Sequence, residues 1–115
     1  MPTYEGGCHC GTVRFSLTKA EPVTEAIACN CSLCTKKGIL LARAEESELT
    51  VTQGQDALSL YQFGTKTASH WFCSNCGIHV MTRPRMAPDR FAMNVRCFDQ
   101  FAAMQAELTI IPFDG

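Results

Sequence analysis

The sequence predicts a single domain that is mainly β. Residues 12–17, 58–63 and 90–96 each alternate apolar and polar side chains with the period of two that a half-buried strand requires. A chain of 115 residues is long enough for one domain and too short for two of ordinary size. No internal repeat, low-complexity tract or linker interrupts it. Residues 1–115 are therefore expected to form one domain.

The elements follow one another with clear boundaries. In the first alternating segment, Val13, Phe15 and Leu17 share the face that is expected to be buried. A short helix is predicted over residues 32–37, ended by Gly38, and a glycine-rich turn over residues 6–11. Loops are expected at residues 64–67 and 84–88. The other strands are predicted at residues 23–28, 49–53, 69–72, 78–82 and 108–111.

The chain has eight cysteines, a high count for its length. The first twenty residues lack the basic start and apolar run of a signal peptide, and no apolar run is long enough to span a membrane. We therefore expect a soluble protein of the cytoplasm, where clustered thiols more often bind metal than form disulfides. A disulfide scaffold is the alternative if the protein is secreted.

Three of these thiols lie within six residues of one another. Cys29, Cys31 and Cys34, here called the triplet, can supply three ligands to a zinc ion. The fourth corner of the tetrahedron must then come from water, substrate or a distant side chain. A zinc site with an open corner is typical of catalysis, whereas a site closed by four protein ligands is typical of structure.

A second set of four thiols could form such a closed site. Cys8 with Cys10, and Cys73 with Cys76, are two pairs far apart in the sequence that together can complete a tetrahedron. We call these four the quartet. Spacing alone leaves another partition open, in which Cys73 and Cys76 join two members of the triplet and leave Cys8 and Cys10 free.

The remaining possible ligands are one cysteine and the histidines. Cys97 follows a predicted strand and could occupy the fourth corner of the triplet site; a buried free cysteine is the alternative interpretation. His9, His70 and His79 lie beside or near thiolate motifs. Histidines in such places more often hydrogen-bond behind a site or pack than bind the metal themselves.

The charge of the chain argues against nucleic acid as a partner. Ten lysines and arginines face eleven acidic residues, for a formal net charge of -1, and no basic run is dense enough to follow a phosphate backbone. An anionic small molecule is compatible with this composition.

Four segments carry a resemblance to a known family. They are Gly6-Gly7-Cys8-His9-Cys10-Gly11 with Val13-Arg14-Phe15, Cys29-Asn30-Cys31-Ser32-Leu33-Cys34 with Lys36, Lys37 and Gly38, Phe72-Cys73-Ser74-Asn75-Cys76-Gly77, and Asn94-Val95-Arg96-Cys97. In this order they resemble the glutathione-dependent formaldehyde-activating enzymes, a family also grouped with centromere protein V. The resemblance spans most of the chain.

The resemblance implies a fold and an activity. The fold is a β-tent of short antiparallel sheets with two zinc ions per chain, a structural one on Cys8, Cys10, Cys73 and Cys76 and a catalytic one on the triplet. The activity is that of a lyase that makes or breaks the carbon–sulfur bond of a glutathione hemithioacetal. Glutathione carries two carboxylates, so cations are expected near the triplet. The candidates are Lys36, Lys37 and Arg96.

Two other functions stay open on the sequence. One is a non-catalytic β module stapled by zinc that binds a protein partner. The other is a zinc and thiol redox sensor, because thiolate clusters can oxidise and release their metal. The sequence does not predict an oligomeric state.

Overall fold

The computed structural model describes residues 1–64, 66–85 and 89–114. Within them the chain forms ten β-strands and two short α-helices, which confirms the mainly β prediction. In chain order the elements are β1 Thr3–Gly7, β2 Arg14–Thr18, β3 Glu25–Cys29, α1 Ser32–Lys37, β4 Leu41–Glu45, β5 Leu49–Gln53, β6 Leu58–Tyr61, β7 Ser69–Cys73, β8 His79–Arg83, β9 Arg90–Asn94, α2 Phe101–Met104 and β10 Thr109–Phe113. Short 3₁₀ turns lie at Glu46–Glu48, Gln55–Ala57, Val95–Cys97 and Gln105–Glu107.

The strands form two sheets. The smaller has the order β1-β2-β5, and the larger has the order β10-β3-β4-β9-β8-β7-β6. The neighbours pair antiparallel, as predicted, with one exception: β10 runs parallel to β3, with Thr109 opposite Glu25 and Phe113 opposite Cys29. Parallel neighbours need a long connection, and the whole chain between β3 and β10 supplies one. β10 then adds to the edge of the larger sheet beside β3 and runs in the same direction.

The inner face of the smaller sheet is the centre of the core. Val13, Phe15 and Leu17 are all fully buried, which confirms the alternation expected for β2. Phe15 meets the ring of Phe98 edge-on at 6.0 Å. Burial of side chains of this size contributes about 1.5–3 kcal/mol each, so this face is a main source of the free energy of folding.

The glycine-rich segment differs from its prediction. Residues 6–11 were expected to form a turn, but Gly6 and Gly7 are the last residues of β1, and the turn begins after them. Two glycines favour a turn locally, yet pairing with β2 imposes an extended backbone. A Cβ atom at Gly6 would lie 2.4 Å from the carbonyl oxygen of Cys97. Glycine is required here for close packing rather than for a bend.

Other boundaries moved by a few residues. The strand predicted over residues 90–96 ends at Asn94, because Val95–Cys97 turns into a 3₁₀ helix in which the amide of Arg96 donates to the Asn94 side chain. The helix predicted over residues 32–37 is confirmed, as is its termination by Gly38, which has φ 65°. The predicted loops at 64–67 and 84–88 include residues 65 and 86–88, which lie outside the described part of the chain. Among the described residues, no helix has the length and apolar character needed to cross a lipid bilayer.

Candidate metal centres

The quartet is assembled from two hairpins. Cys8 and Cys10 lie in the connection from β1 to β2, while Cys73 ends β7 and Cys76 lies in the turn before β8. Their four sulfur atoms all lie within 4.8 Å of one another. In the structure Cys73 and Cys76 therefore lie with Cys8 and Cys10 and not with the triplet.

The sulfur spacing in the quartet suits zinc. The Sγ atoms of Cys8 and Cys10 are 3.6 Å apart, and those of Cys10 and Cys73 are 3.7 Å apart. A tetrahedron with zinc–sulfur bonds of about 2.3 Å has edges of about 3.8 Å. The four thiols therefore have the separation that a structural zinc ion requires.

Hydrogen bonds around the quartet favour thiolates. The amide of Val13 donates to Cys8 Sγ at 3.3 Å, and the amide of Asn75 donates to Cys73 Sγ at 3.4 Å. The Thr12 hydroxyl, 3.1 Å from Cys10 Sγ, is the main reason why the pKa of Cys10 falls to about 5, followed by the side chain of Asn75. Backbone hydrogen bonds from Cys76 and Asn75 also act to lower the pKa of Cys73, but burial and the Cys8 and Cys10 thiols outweigh them and raise it. Metal binding requires deprotonated thiols, and of these two cysteines Cys10 is the one held toward that form.

The triplet is local and lies at the start of α1. Cys29 ends β3, Cys31 is the N-cap of the helix, and Cys34 lies within it. The three sulfur atoms also lie within 4.8 Å of one another. The amide of Cys34 donates to Cys31 Sγ at 3.4 Å, which is the capping interaction of the helix. The same helical turn that gives the residues their spacing thus gathers their thiols.

The members of the triplet differ in burial and acidity. Cys34 is buried, whereas Cys29 and Cys31 are partly exposed. Burial raises the pKa of Cys34 above its usual range, and the Cys31 thiol adds to this. Burial also acts to raise the pKa of Cys31, but hydrogen bonds from Cys34 outweigh it and lower that pKa. The triplet therefore has one inner thiol and two that reach toward solvent.

Cys97 belongs to neither cluster. Its thiol donates to the carbonyl oxygen of His79 at 3.4 Å and accepts from Asn94 Nδ2 at 3.6 Å. Burial raises the pKa of Cys97 to about 12, with the charges of Cys8 and Cys76 as further causes. The group is a protonated thiol in the core beside the quartet, and it does not lie at the open corner of the triplet.

A cavity of about 570 Å³ lies between the quartet turn and the end of α1. Cys8 and His9 line one side, Lys37 and Gly38 line another, and Arg96 lies on the 3₁₀ turn that follows β9. The triplet cysteines are not among its lining residues, and α1 contributes its last residue, Lys37, to the wall. Its volume is in the range of small-molecule sites.

The structure separates the three predicted cations. Lys37 and Arg96 both line the cavity, whereas Lys36 is exposed and lies outside it. The Arg96 guanidinium lies 5.3 Å over the ring of Phe101. Lys37 is half-buried, and its burial lowers its pKa, while the charge of Cys34 acts in the opposite direction. The two cavity cations therefore occupy different environments.

Two buried polar residues, His79 and Asn94, also line the cavity, and their partners were not predicted from the sequence. His79 is buried, and its Nδ1 atom lies 2.9 Å from Lys37 Nζ. Asn94 is also buried and donates from Nδ2 to the His79 carbonyl oxygen at 2.9 Å. Asn94 lies on the inward face of β9, a strand whose other face is also buried. A polar residue at such a position is unusual, and it was the feature of the sequence that could have pointed to a role for Asn94 at the site.

Comparisons with known proteins find chains that are similar in sequence and in fold. A protein of Halomonas elongata named "Putative glutathione-dependent formaldehyde-activating enzyme" is 32% identical over 80 residues, which are 63% of this chain and 50% of that protein. The chain thus spans about half the length of that curated relative. A crystal structure of a Rhodobacter sphaeroides protein, a structural genomics target, is 36% identical with a TM-score of 0.83, and the match covers 94% of this chain and 97% of that one.

The family model described as glutathione-dependent formaldehyde-activating enzyme matches residues 3–111. This match includes both cysteine clusters and the cations of the cavity. The chain therefore belongs to the glutathione-dependent formaldehyde-activating enzyme family.

Proposed function

We propose that the chain is a zinc-dependent carbon–sulfur lyase-like enzyme. Its substrate would be an aldehyde adduct of glutathione or of another thiol, of the S-hydroxymethylglutathione type. One observation carries the proposal: the quartet already supplies four sulfurs to one site, so the triplet forms a second cluster with three. A three-thiolate cluster of this kind leaves a coordination position for a substrate. Membership of the family supports the same chemistry.

The two clusters would divide the work between two zinc ions. Cys8, Cys10, Cys73 and Cys76 would hold a structural ion, and Cys29, Cys31 and Cys34 would hold a catalytic one. When bound at the triplet, zinc supplies Lewis acidity that favours the thiolate form of a thiol in the open position. The protein contributes the position of the reactants, because three thiolates already weaken the electrophilic character of the metal.

The cavity offers the charges that glutathione needs. Arg96 presents a planar guanidinium that can hold a carboxylate with two parallel hydrogen bonds. Lys37, the last residue of α1, adds a second positive charge to the cavity, which favours an anionic substrate without pairing with one of its carboxylates. Lys36 is exposed and does not line the cavity, so its charge would strengthen glutathione binding only weakly and over a longer distance.

The cysteines suit a reducing compartment such as the cytoplasm. All eight are free, and none is joined in a disulfide. Clusters of free thiols persist where glutathione is abundant and reduced. This supports a cytoplasmic site of action, with glutathione as the small-molecule partner.

The test is a titration of glutathione into the cobalt-substituted protein. Cobalt reports each sulfur ligand through a sulfur-to-metal charge-transfer band. We expect glutathione to change the intensity of this band, because its thiol enters the open corner. S-methylglutathione, which has the same carboxylates and no free thiol, is the matched control and should leave the band unchanged. An unchanged band with both compounds would contradict the proposal.

A second candidate function has its own observation. Leu60, Tyr61 and Phe63 are exposed by 52%, 46% and 44%, and they lie on or just after β6, the edge strand of the larger sheet. Exposed apolar side chains on a sheet edge are typical of a protein-binding surface. A module of this kind would bind two zinc ions but would not accelerate formation or breakdown of the glutathione adduct. Measurement of that rate above the uncatalysed background separates the two functions.

A further inference from the structure

Three side chains form a hydrogen-bonded chain at the wall of the cavity, which Lys37 and His79 both line. Lys37 at the end of α1 lies with its Nζ atom 2.9 Å from His79 Nδ1. On the other side of the same ring, His79 Nε2 lies 2.7 Å from Thr82 Oγ1. His79 and Thr82 are 3% and 4% exposed, so this chain leads from the buried side of β8 to a lysine that lines the cavity.

The protonation of the chain can be assigned from its donors. A lysine ammonium only donates hydrogen bonds, so His79 Nδ1 must accept, and the proton of the neutral ring must lie on Nε2 and be donated to Thr82. Burial keeps the imidazole neutral, because it lowers the pKa of His79 to about 3, with the charge of Lys37 as the second cause. His79 thus holds Lys37 in place and does not neutralise its charge.

Burial acts to lower the pKa of Lys37 and the charge of Cys34 acts to raise it, so the opposing charge comes from the triplet and not from the surroundings of His79. Among the described residues, none of the ion pairs includes Lys37, and the other group against its ammonium is the ring of Phe72, whose centroid is 5.8 Å away. The other titratable side chain facing His79 is His70, with ring centroids 6.0 Å apart. Neither nitrogen of His70 has a hydrogen-bond partner in the described chain, so it does not compete for the His79 ring.

Lys37 is therefore a half-buried cation with N–H groups that His79 does not use. An ammonium has three N–H groups, and His79 accepts one of them. The rest face a cavity and would bind an oxygen that carries or develops negative charge. Lys37 follows Cys34 of the triplet by three residues in the same helix. Arg96 is exposed and lies over the ring of Phe101, so we expect the two cations to have different roles.

We propose that Lys37 hydrogen-bonds the aldehyde-derived oxygen of the substrate, and that His79 and Thr82 are positioning residues that fix the Lys37 ammonium toward it. This inference rests on the proposed function. As a thiolate lone pair forms the carbon–sulfur bond, the carbonyl π pair moves onto the oxygen, which takes a proton from Lys37. The proton that the thiol released when it became a thiolate passes through solvent and returns the Lys37 amine to its ammonium form, so no net proton is gained or lost. Cleavage of the adduct follows the same steps in reverse.

The test compares variants in the zinc-loaded protein. The rate of exchange between glutathione with formaldehyde and their adduct is measured by exchange NMR above the uncatalysed background. Lys37→Met keeps the length of the side chain and should lower kcat about a hundred-fold, as expected for loss of a proton donor, with KM changed less than about three-fold. Thr82→Val removes the acceptor for His79 and should lower kcat about ten-fold, whereas Thr82→Ser retains the hydroxyl and should stay within about two-fold.

A second measurement does not depend on activity. Long-range proton–nitrogen NMR of the imidazole should show the Nε2–H tautomer of His79 in the wild type and in Thr82→Ser. In Lys37→Met the Nδ1–H tautomer should gain population, because Nδ1 no longer has to accept from an ammonium and the Thr82 hydroxyl can donate to Nε2 instead. Each variant should retain the zinc content of the wild type, which shows that it is folded.

The outcomes separate the inference from the proposed function. If the wild type turns over but Lys37→Met keeps its kcat, or if His79 is the Nδ1–H tautomer in the wild type, the inference is wrong and the proposed function stands. If the wild type does not accelerate the exchange at all, the proposed function is wrong and the inference falls with it.

Discussion

The two cysteine clusters use one chemical group in two different ways. The quartet joins a turn of the smaller sheet to a turn of the larger one, with Cys10 and Cys73 separated by 63 residues in sequence. The triplet is contained in the end of one strand and the first turn of one helix. A metal at the quartet closes a long loop between two layers, whereas a metal at the triplet constrains six residues. The first would stabilise the fold, and the second could be lost without unfolding it.

Two glycines near the clusters differ in their packing. A Cβ atom at Gly54 would lie 2.1 Å from the carbonyl oxygen of Thr12, beside Cys10 of the quartet. A Cβ atom at Gly38, which ends the helix of the triplet, would meet nothing within 4 Å. Backbone therefore packs closely against one side of the quartet, whereas the end of α1 lies next to open space. The contrast is local, because Cys10 is exposed and Cys8 lines the cavity, which the triplet cysteines do not.

Cys73→Ser should have the largest effect. Structural zinc contributes about 10–16 kcal/mol of apparent binding free energy in small zinc domains, which is as large as the whole free energy of unfolding of a typical domain, about 5–15 kcal/mol. Cys73 is fully buried, so its replacement also places a hydroxyl in the core. We expect loss of near-UV circular dichroism and of a cooperative thermal transition. A cooperative transition near that of the wild type would contradict a structural role for the quartet.

Cys29→Ser should separate stability from activity. Cys29 is partly exposed and belongs to the local cluster, so the variant should keep the fold and one zinc ion per chain. Exchange of the glutathione–formaldehyde adduct should fall at least about a hundred-fold, because a catalytic metal contributes several kcal/mol and each 1.36 kcal/mol is a factor of ten. Atomic absorption gives the zinc content, and exchange NMR gives the rate. Retention of both zinc ions and of full activity would remove the triplet from the mechanism.

Gly54→Ala and Gly38→Ala form a matched pair. Both glycines have positive φ, 72° and 65°, so alanine costs about 1–2 kcal/mol of backbone strain at either position. At Gly54 the new methyl group also collides with the Thr12 backbone, which should bring the loss in free energy of unfolding to about 3 kcal/mol. Urea denaturation of the two variants measures the difference. Equal losses would mean that the quartet turn is not the more tightly packed of the two regions.

Arg96→Met should have the smallest effect, and it should appear in binding. Loss of a charge-assisted hydrogen bond costs about 1.5–3 kcal/mol, so KM for the glutathione adduct should rise at least about ten-fold, with kcat nearly unchanged. Lys36→Met is the comparison, because Lys36 lies outside the cavity and should raise KM by less. A larger effect from Lys36 than from Arg96 would place the carboxylate site elsewhere on the surface.

Much of this fold could be predicted from local patterns. The alternation of Val13, Phe15 and Leu17 fixed the buried face of β2, and the spacing of the triplet together with Gly38 fixed α1. β1 was missed because its two glycines favour a turn until β2 pairs with them. The parallel pairing of β10 with β3 was also missed, since local sequence does not show which distant strand an edge will accept.

The candidate site was predictable in its ligands and less so in its neighbours. Both cysteine clusters contain the residues expected of them, although spacing alone permitted a different partition. Which of Lys36 and Lys37 reaches the cavity depends on how α1 is rotated against the sheet, because successive residues on a helix point about 100° apart. The contact between Lys37 and His79 joins residues 42 apart in sequence, and only the packed structure reveals it.

The proposed function requires one closed cysteine cluster and one cluster with an open corner. X-ray absorption of the purified protein, combined with its zinc content, measures both. Two zinc ions per chain, with about 3.5 sulfur ligands per zinc and a light atom completing the average shell, are the expected result for one four-sulfur and one three-sulfur site. A single zinc ion per chain, or four sulfur ligands on every zinc, would contradict the proposed function.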